Sequence, residues 1–215
     1  MDNGSYDEHQ AYCEGLCPEE PEYLNALKRA SYQKLMHPRM NSGILQGRFL
    51  SMISHMTKPN RVLEVGTYSG YAALCLAEGL SENGKVISLE VNDELAPFHE
   101  KHLFTSELGK KIEVIYGPAL ASLPNISESF ELIYLDADKE NYAKYYPLLK
   151  LKLRTDGILL IDNMLWEGKV LLPLQEGDIQ TRAILELSRM IQEDQDMELV
   201  LLPLRDGLMM VRKKS

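Results

Sequence analysis

Two apolar runs end in clusters of oxygen-bearing side chains. FELIYL leads into Asp136, Asp138 and Lys139, and GILLI leads into Asp162 and Asn163. Carboxylates and a carboxamide, with no His or Cys among them, suit a hard cation. Mg2+ in particular takes few protein ligands and keeps its other positions for water and substrate, with Mn2+ or Ca2+ as alternatives. Local turn chemistry offers a plainer account, in which Asp138 caps a helix beginning near Lys139 and Asp162-Asn163 form an Asx-turn. A cap and a ligand contact are compatible at Asp138. Convergence of Asp136, Asp162 and Asn163 requires that the two runs be neighbouring strands.

A second candidate is LEVGTYSGY. Gly66 and Gly70 bracket a turn where backbone can approach a ligand closely, and Ser69 places a hydroxyl beside the amides that open a helix. The spacing is GxxxG, and the missing GxGxxG counts against a nicotinamide cofactor. Glu90, at the end of KVISLE, stands where an acidic residue holds a ribose diol in Rossmann-type sites. Either feature alone is an ordinary turn or surface carboxylate. Together they favour a nucleoside-bearing ligand.

The elements that must position these residues follow from periodicity. Pro21 to Met36 reads as a helix, HPRMNSG breaks it, and Ile44 to Met56 reads as a second helix. From RVLEVG onward strands alternate with helices: KVISLEV, IEVIYG, FELIYLDA and GILLIDN are strands, while YAALCLAEGL, DELAPFHEKHLFTSEL, NYAKYYPLLKLKL and TRAILELSRMIQ are helices. Alternation predicts an α/β fold, a doubly wound parallel sheet with ligands at the carboxyl ends of its strands. MELVLLPL and GLMMVRK, joined through Arg205-Asp206-Gly207, predict a C-terminal antiparallel hairpin. Residues 1–11 read as a flexible tail before a single domain, 12–215, made of a helical cap over 12–60 and a Rossmann-like core over 61–215.

Composition narrows the classes. A net charge of −9 disfavours a polyanion partner, because nucleic-acid binding uses basic residues to displace counterions. No run approaches the length of a membrane span, and the acidic MDNGSYDEHQ lacks the basic and apolar regions of a signal peptide, so a cytoplasmic location is the default expectation. Cys13, Cys17 and Cys75 read as reduced structural thiols. The histidines read as solvated or satisfied in the core, and Tyr142, Tyr145 and Tyr146 as packing.

Taken in order, MNSGILQGRFL, LEVGTYSGY, GPAL, LDADKENY, DNMLWEG and LPLRDGL resemble the cation-dependent O-methyltransferases of the catechol and caffeoyl-CoA type, over about Tyr12 to Arg212. The resemblance implies a class I methyltransferase fold, S-adenosylmethionine as methyl donor, a divalent cation and a homodimer. It assigns Ser42, Glu64, Gly66, Thr67, Ser69 and Gly70 to the methionine part of the cofactor, Glu90 to the ribose, Ala119 to the adenine and Asp138 to the amino group, and places Met40 near the cofactor. Asp136, Asp162 and Asn163 match the metal ligands, Lys139 the general base, and Trp166 a wall of the acceptor pocket. Three positions depart from the family pattern: Ala72 replaces a serine, Arg205 a glycine, and Glu167 an asparagine near the acceptor. The implied reaction methylates one hydroxyl of a small vicinal diphenol. A hydroxylated uridine in tRNA is the alternative acceptor, with a nicotinamide oxidoreductase or an inactive binding protein further off.

Overall fold

The computed structural model describes residues 3–215. Helices α1 (Asn3–Gly15), α2 (Glu22–Lys34) and α3 (Gly43–Thr57) precede the first strand. The first of these runs through the segment read as a tail, and residues 1 and 2 fall outside the described residues. Helix α2 buries Leu24, Leu27, Ala30 and Ser31, a stripe at helical spacing, against α3 and α4 (Tyr71–Ala77). Every residue of α4 is buried. A polar clamp ties the three helices together: Arg48 donates to both oxygens of Glu78 at 2.9 Å, and the Tyr23 hydroxyl donates to Glu78 at 2.6 Å.

The strands are β1 (Arg61–Val65), β2 (Lys85–Glu90), β3 (Ile112–Tyr116), β4 (Phe130–Leu135), β5 (Leu153–Ile161), β6 (Met197–Leu202) and β7 (Leu208–Lys213). They form one sheet in the order β3-β2-β1-β4-β5-β7-β6. Strands β1 to β5 pair in parallel, and β7 enters antiparallel between β5 and β6. Strand order reverses between β1 and β4, so a crevice opens there at the carboxyl ends. Helices α5 (Ala96–Phe98), after β2, and α6 (Ala119–Ser122), after β3, are short, while α7 (Tyr142–Lys152) and α8 (Ile179–Glu193) cover one face of the sheet.

Strand alternation decides what faces what. Leu63, Val65, Leu89, Ile133, Leu135 and Ile161 point into the core beneath α7 and α8, each burial contributing about 1.5–3 kcal/mol. Their neighbours Glu64, Ser88, Glu90, Tyr134 and Asp162 point to the opposite face, under α3 and α4. One face therefore carries the polar side chains that the carboxyl ends present to the crevice.

Two boundaries differ from expectation. The single helix expected from Asp93 to Leu108 is a 3-10 turn (Asp93–Leu95), α5 and a π-helical turn (His99–Leu103). The wider π-turn brings His99 inward, where it is fully buried. Strand β5 also begins earlier than GILLIDN suggests, at Leu153, with a register irregularity opposite β4 and a left-handed Asp156 before Gly157.

Candidate active site

At the end of β1 the chain turns through Gly66 at φ 103°. A Cβ there would lie 1.9 Å from the Asp136 carbonyl oxygen, so only glycine lets this loop run against the exit of β4. Tyr68 follows at φ 46°, and its N–H donates to Glu90 Oε2 at 2.7 Å, while the Asn92 N–H donates to Oε1 at 2.9 Å. The Glu90 carboxylate is thereby fixed at the rim of a cavity of about 840 Å³. His99 secures the same loop from behind. Its Nε2–H donates to the Tyr68 carbonyl at 2.6 Å and its Nδ1 accepts from the Tyr116 hydroxyl at 2.8 Å. Burial lowers the His99 pKa, which keeps this neutral tautomer in place.

Glu64 is fully buried and does not line the cavity. It accepts from Ser88, whose hydroxyl also meets Thr67 Oγ1 at 2.5 Å. Its Oε1 has no hydrogen-bond partner, and burial, reinforced by the charges of Asp136 and Glu90, raises its pKa to about 8 despite the Ser88 hydrogen bond. Glu64 thus stands behind the glycine turn. Thr67, Ser69 and Ala119 line the cavity itself.

Residues 37–42 form a hood over this half. The His37 N–H donates to the Tyr68 hydroxyl at 3.1 Å, Ser69 Oγ donates to Asn41 Oδ1 at 2.5 Å, and Arg205 donates to the Ser42 carbonyl. Met40 and Ser42 line the cavity, Met40 from an exposed rim position and Ser42 from a buried one. The buried Asn41 Nδ2 has no protein partner and belongs to the cavity wall, as expected of a site that takes a polar ligand.

Strands β4 and β5 are neighbours, so Asp136, Asp162 and Asn163 meet at one edge of the cavity. Asp136 Oδ1 accepts from Lys139 Nζ at 2.9 Å, and the same Nζ donates to the Tyr142 hydroxyl at 2.7 Å. Asp162 Oδ2 accepts from Gln46 Nε2 at 2.6 Å and from the Tyr134 hydroxyl at 2.8 Å, while Oδ1 accepts the Asn163 N–H at 2.7 Å. Burial and then the nearby Asp136 charge raise the Asp162 pKa. Asn163, at φ 61°, turns its Nδ2 towards Asp206 Oδ2 at 3.3 Å. Among the described residues no cluster of three His, Cys, Asp or Glu side chains forms a metal cage. The donor set is two carboxylates and an amide, and mutual repulsion of its two acids favours a cationic guest.

Asp138 occupies the N-cap position of the 3-10 turn Lys139–Asn141 without making a cap hydrogen bond. Its carboxylate instead accepts from Asn141 and, at 2.5 Å, from the Tyr145 hydroxyl, at the cavity wall. Trp166 lines the cavity with a buried Nε1 that has no partner. Glu167, expected in the acceptor pocket, does not line it. Left-handed backbone at Trp166, Glu167 and Gly168 swings the Glu167 side chain into solvent, 80% exposed, while its N–H donates to Asp206 Oδ1 at 2.6 Å.

Gln46, Tyr134, Arg205 and Tyr145 belong to the site and were not singled out as site residues from sequence. For Gln46 a signal existed: it is a polar residue on the buried face of α3, in line with Leu50 and Ile53. Tyr145 was assigned to packing, and its ring is indeed buried, but its hydroxyl reaches Asp138.

Residues 14–214 match the O-methyltransferase family model. The chain is 30% identical to caffeoyl-CoA O-methyltransferase 2 of Petunia hybrida, over 92% of this chain and 86% of the relative. An SAH-bound methyltransferase of Podospora anserina superposes with a TM-score of 0.89 at 27% identity, covering 100% of this chain and 97% of its own. An O-methyltransferase of Bacillus cereus, solved in complex with SAH, superposes with a TM-score of 0.87 at 26% identity, covering 96% and 97%.

Proposed function

The chain belongs to the O-methyltransferase family, and from that premise we propose that it transfers a methyl group from S-adenosylmethionine to one hydroxyl of a small vicinal diphenol with the help of a divalent cation. The observation that carries this reading is the meeting of Asp136, Asp162 and Asn163 beside Lys139, in the same cavity as the fixed Glu90 carboxylate. The sulfonium donor would supply an electrophilic methyl, and a bound cation would act as a Lewis acid that lowers the pKa of a phenolic hydroxyl from about 10.

The chain's own residues do the rest. Glu90, with both oxygens oriented by backbone amides, accepts from the ribose diol; the Gly66 loop and the hood flank the methionine portion; Ala119 packs against the base. Asp136, Asp162 and the Asn163 side-chain oxygen would hold the cation. Lys139 Nζ, ion-paired with Asp136 at rest, would take the phenolic proton in its neutral amine form, once its own proton has passed to solvent. Transfer would be a direct displacement in which the O–C bond forms as the C–S bond breaks and the electron pair leaves on sulfur, so no side chain of the protein need act as a covalent nucleophile. Trp166 restricts the ring plane. Holding nucleophile and methyl in line supplies on the order of 7–11 kcal/mol of the barrier reduction.

The test is methyl transfer from labelled S-adenosylmethionine to a panel of catechols and caffeoyl esters, with Mg2+ and with chelator, alongside Asp162→Ala. Turnover should require the metal and vanish in the variant. Cofactor binding without turnover on any diphenol would sink the small-phenol reading and direct attention to hydroxylated uridine in tRNA.

A further inference from the structure

Gln46 is completely buried, yet it comes from the helical cap and reaches across the sheet face to the end of β5. Its Nε2 donates to Asp162 Oδ2 at 2.6 Å and to the Tyr134 hydroxyl at 2.8 Å, and that hydroxyl donates to the same Asp162 oxygen at 2.8 Å. The three groups close a hydrogen-bonded triangle. The amide's orientation follows from its partners: Arg205 NH1, which can only donate, lies 3.5 Å from Gln46 Oε1, and Asp162, when ionised, can only accept from Nε2.

The triangle has a consequence for Asp162. Two strong donors occupy Oδ2, which locks the carboxylate plane, while Oδ1 accepts only the Asn163 N–H at 2.7 Å and keeps a lone pair for a cation. Buried polar partners of this kind set ligand orientation, and they are effective because an unpaired alternative is costly in a dry interior. Ordinary packing gives no reason for a glutamine here. An apolar side chain would fill the same space on the buried face of α3 and avoid desolvating an amide.

We infer that Gln46, with Tyr134, is a positioning residue that aims the Asp162 carboxylate at the divalent cation, so that the N-terminal cap takes part in metal binding without touching the metal. The inference rests on the metal-dependent reading above and concerns a residue outside the ligand set.

The experiment is a Mn2+ titration of wild type, Gln46→Leu and Tyr134→Phe, followed by the metal's EPR signal, with S-adenosylhomocysteine affinity measured on the same samples. Wild type should bind Mn2+, Gln46→Leu should bind it about 10- to 100-fold more weakly, and Tyr134→Phe should shift the same way, with S-adenosylhomocysteine binding retained. If Gln46→Leu does not fold, the single-hydroxyl deletion Tyr134→Phe carries the test. Wild-type Mn2+ affinity in the folded variants overturns the inference alone. Parallel loss of both ligands marks a merely structural role and overturns it as well. A wild-type protein that takes up no Mn2+ removes the metal-dependent reading and the inference together.

Discussion

Lys139 Nζ lies 2.9 Å from Asp136 Oδ1, three residues away on the turn that leaves β4. The proposed proton acceptor and a proposed cation ligand therefore share one ion pair, and the Tyr142 hydroxyl at 2.7 Å holds the lysine from the other side. Replacing Lys139 with methionine keeps the stem's packing and removes the amine. The expected outcome is a fall in kcat of about 10²- to 10⁴-fold, the range for a lost acid–base group, with S-adenosylhomocysteine affinity unchanged. Calorimetric binding beside steady-state kinetics separates the two, and near-normal kcat would remove Lys139 from the proton-transfer role.

Glu64 links the site to pH. Its folded pKa of about 8, raised first by burial, exceeds the ordinary glutamate value of 4.5, so between these values the native state binds more protons than the unfolded chain. Stability contributed by the protonated form is present below about 4.5 and is lost as pH climbs towards 8. The expected Tm, measured in metal-free buffer, falls across that window, and Glu64→Gln flattens the fall because the amide is neutral throughout. An unchanged slope in the variant would show that other groups carry the dependence.

Gly66→Ala tests the turn. A methyl group 1.9 Å from the Asp136 carbonyl, on a residue at φ 103°, forces the β1 loop and the β4 exit apart. Cofactor affinity should drop by at least an order of magnitude, with a loss of stability of about 1–3 kcal/mol or more from the left-handed strain and the clash. Equilibrium dialysis with S-adenosylhomocysteine and urea denaturation read the two effects. Retained affinity would show that the turn need not approach the ligand.

Asp206→Ala tests the hairpin's hold on the acceptor wall. Asp206 accepts from the Glu167 N–H at 2.6 Å and from Asn163 Nδ2 at 3.3 Å, so one carboxylate steadies both the Trp166 loop and a proposed cation ligand. Loss of these bonds, one of them charge-assisted at short distance, should raise the acceptor KM on the order of tenfold. S-adenosylhomocysteine binding, made on the other side of the cavity, should hold. An unaltered KM would mean that Trp166 is positioned by packing alone.

What sequence disclosed divides along physical lines. The apolar runs ending in Gly66, Glu90, Asp136 and Asp162 were legible because buried parallel strands impose composition, and charge at the end of such a run is conspicuous. The Asp93–Leu108 segment misled because its composition is helical, whereas the π-turn is dictated by a tertiary demand: seating His99 between Tyr68 and Tyr116. Glu167 misled for a related reason. Its outward direction is set by successive left-handed residues that no propensity scale anticipates. Gln46 was overlooked because its partners lie 88 and 116 residues away, beyond any local pattern.

The placement of β7 has a temporal consequence. Gly66, Glu90, Asp136 and Asp162 all precede it in the chain, while the support of Asn163 comes from Asp206, 43 residues later. As synthesis proceeds from the N-terminus, the donor half of the cavity can assemble while the edge of β5 still waits, unpaired, for a strand that must enter between it and β6. The emerging polypeptide can thus form the Gly66 and Glu90 side of the cavity before Arg205 and Asp206 arrive to fasten its hood and its far edge, and that interval is when the exposed sheet edge is most open to the wrong neighbour.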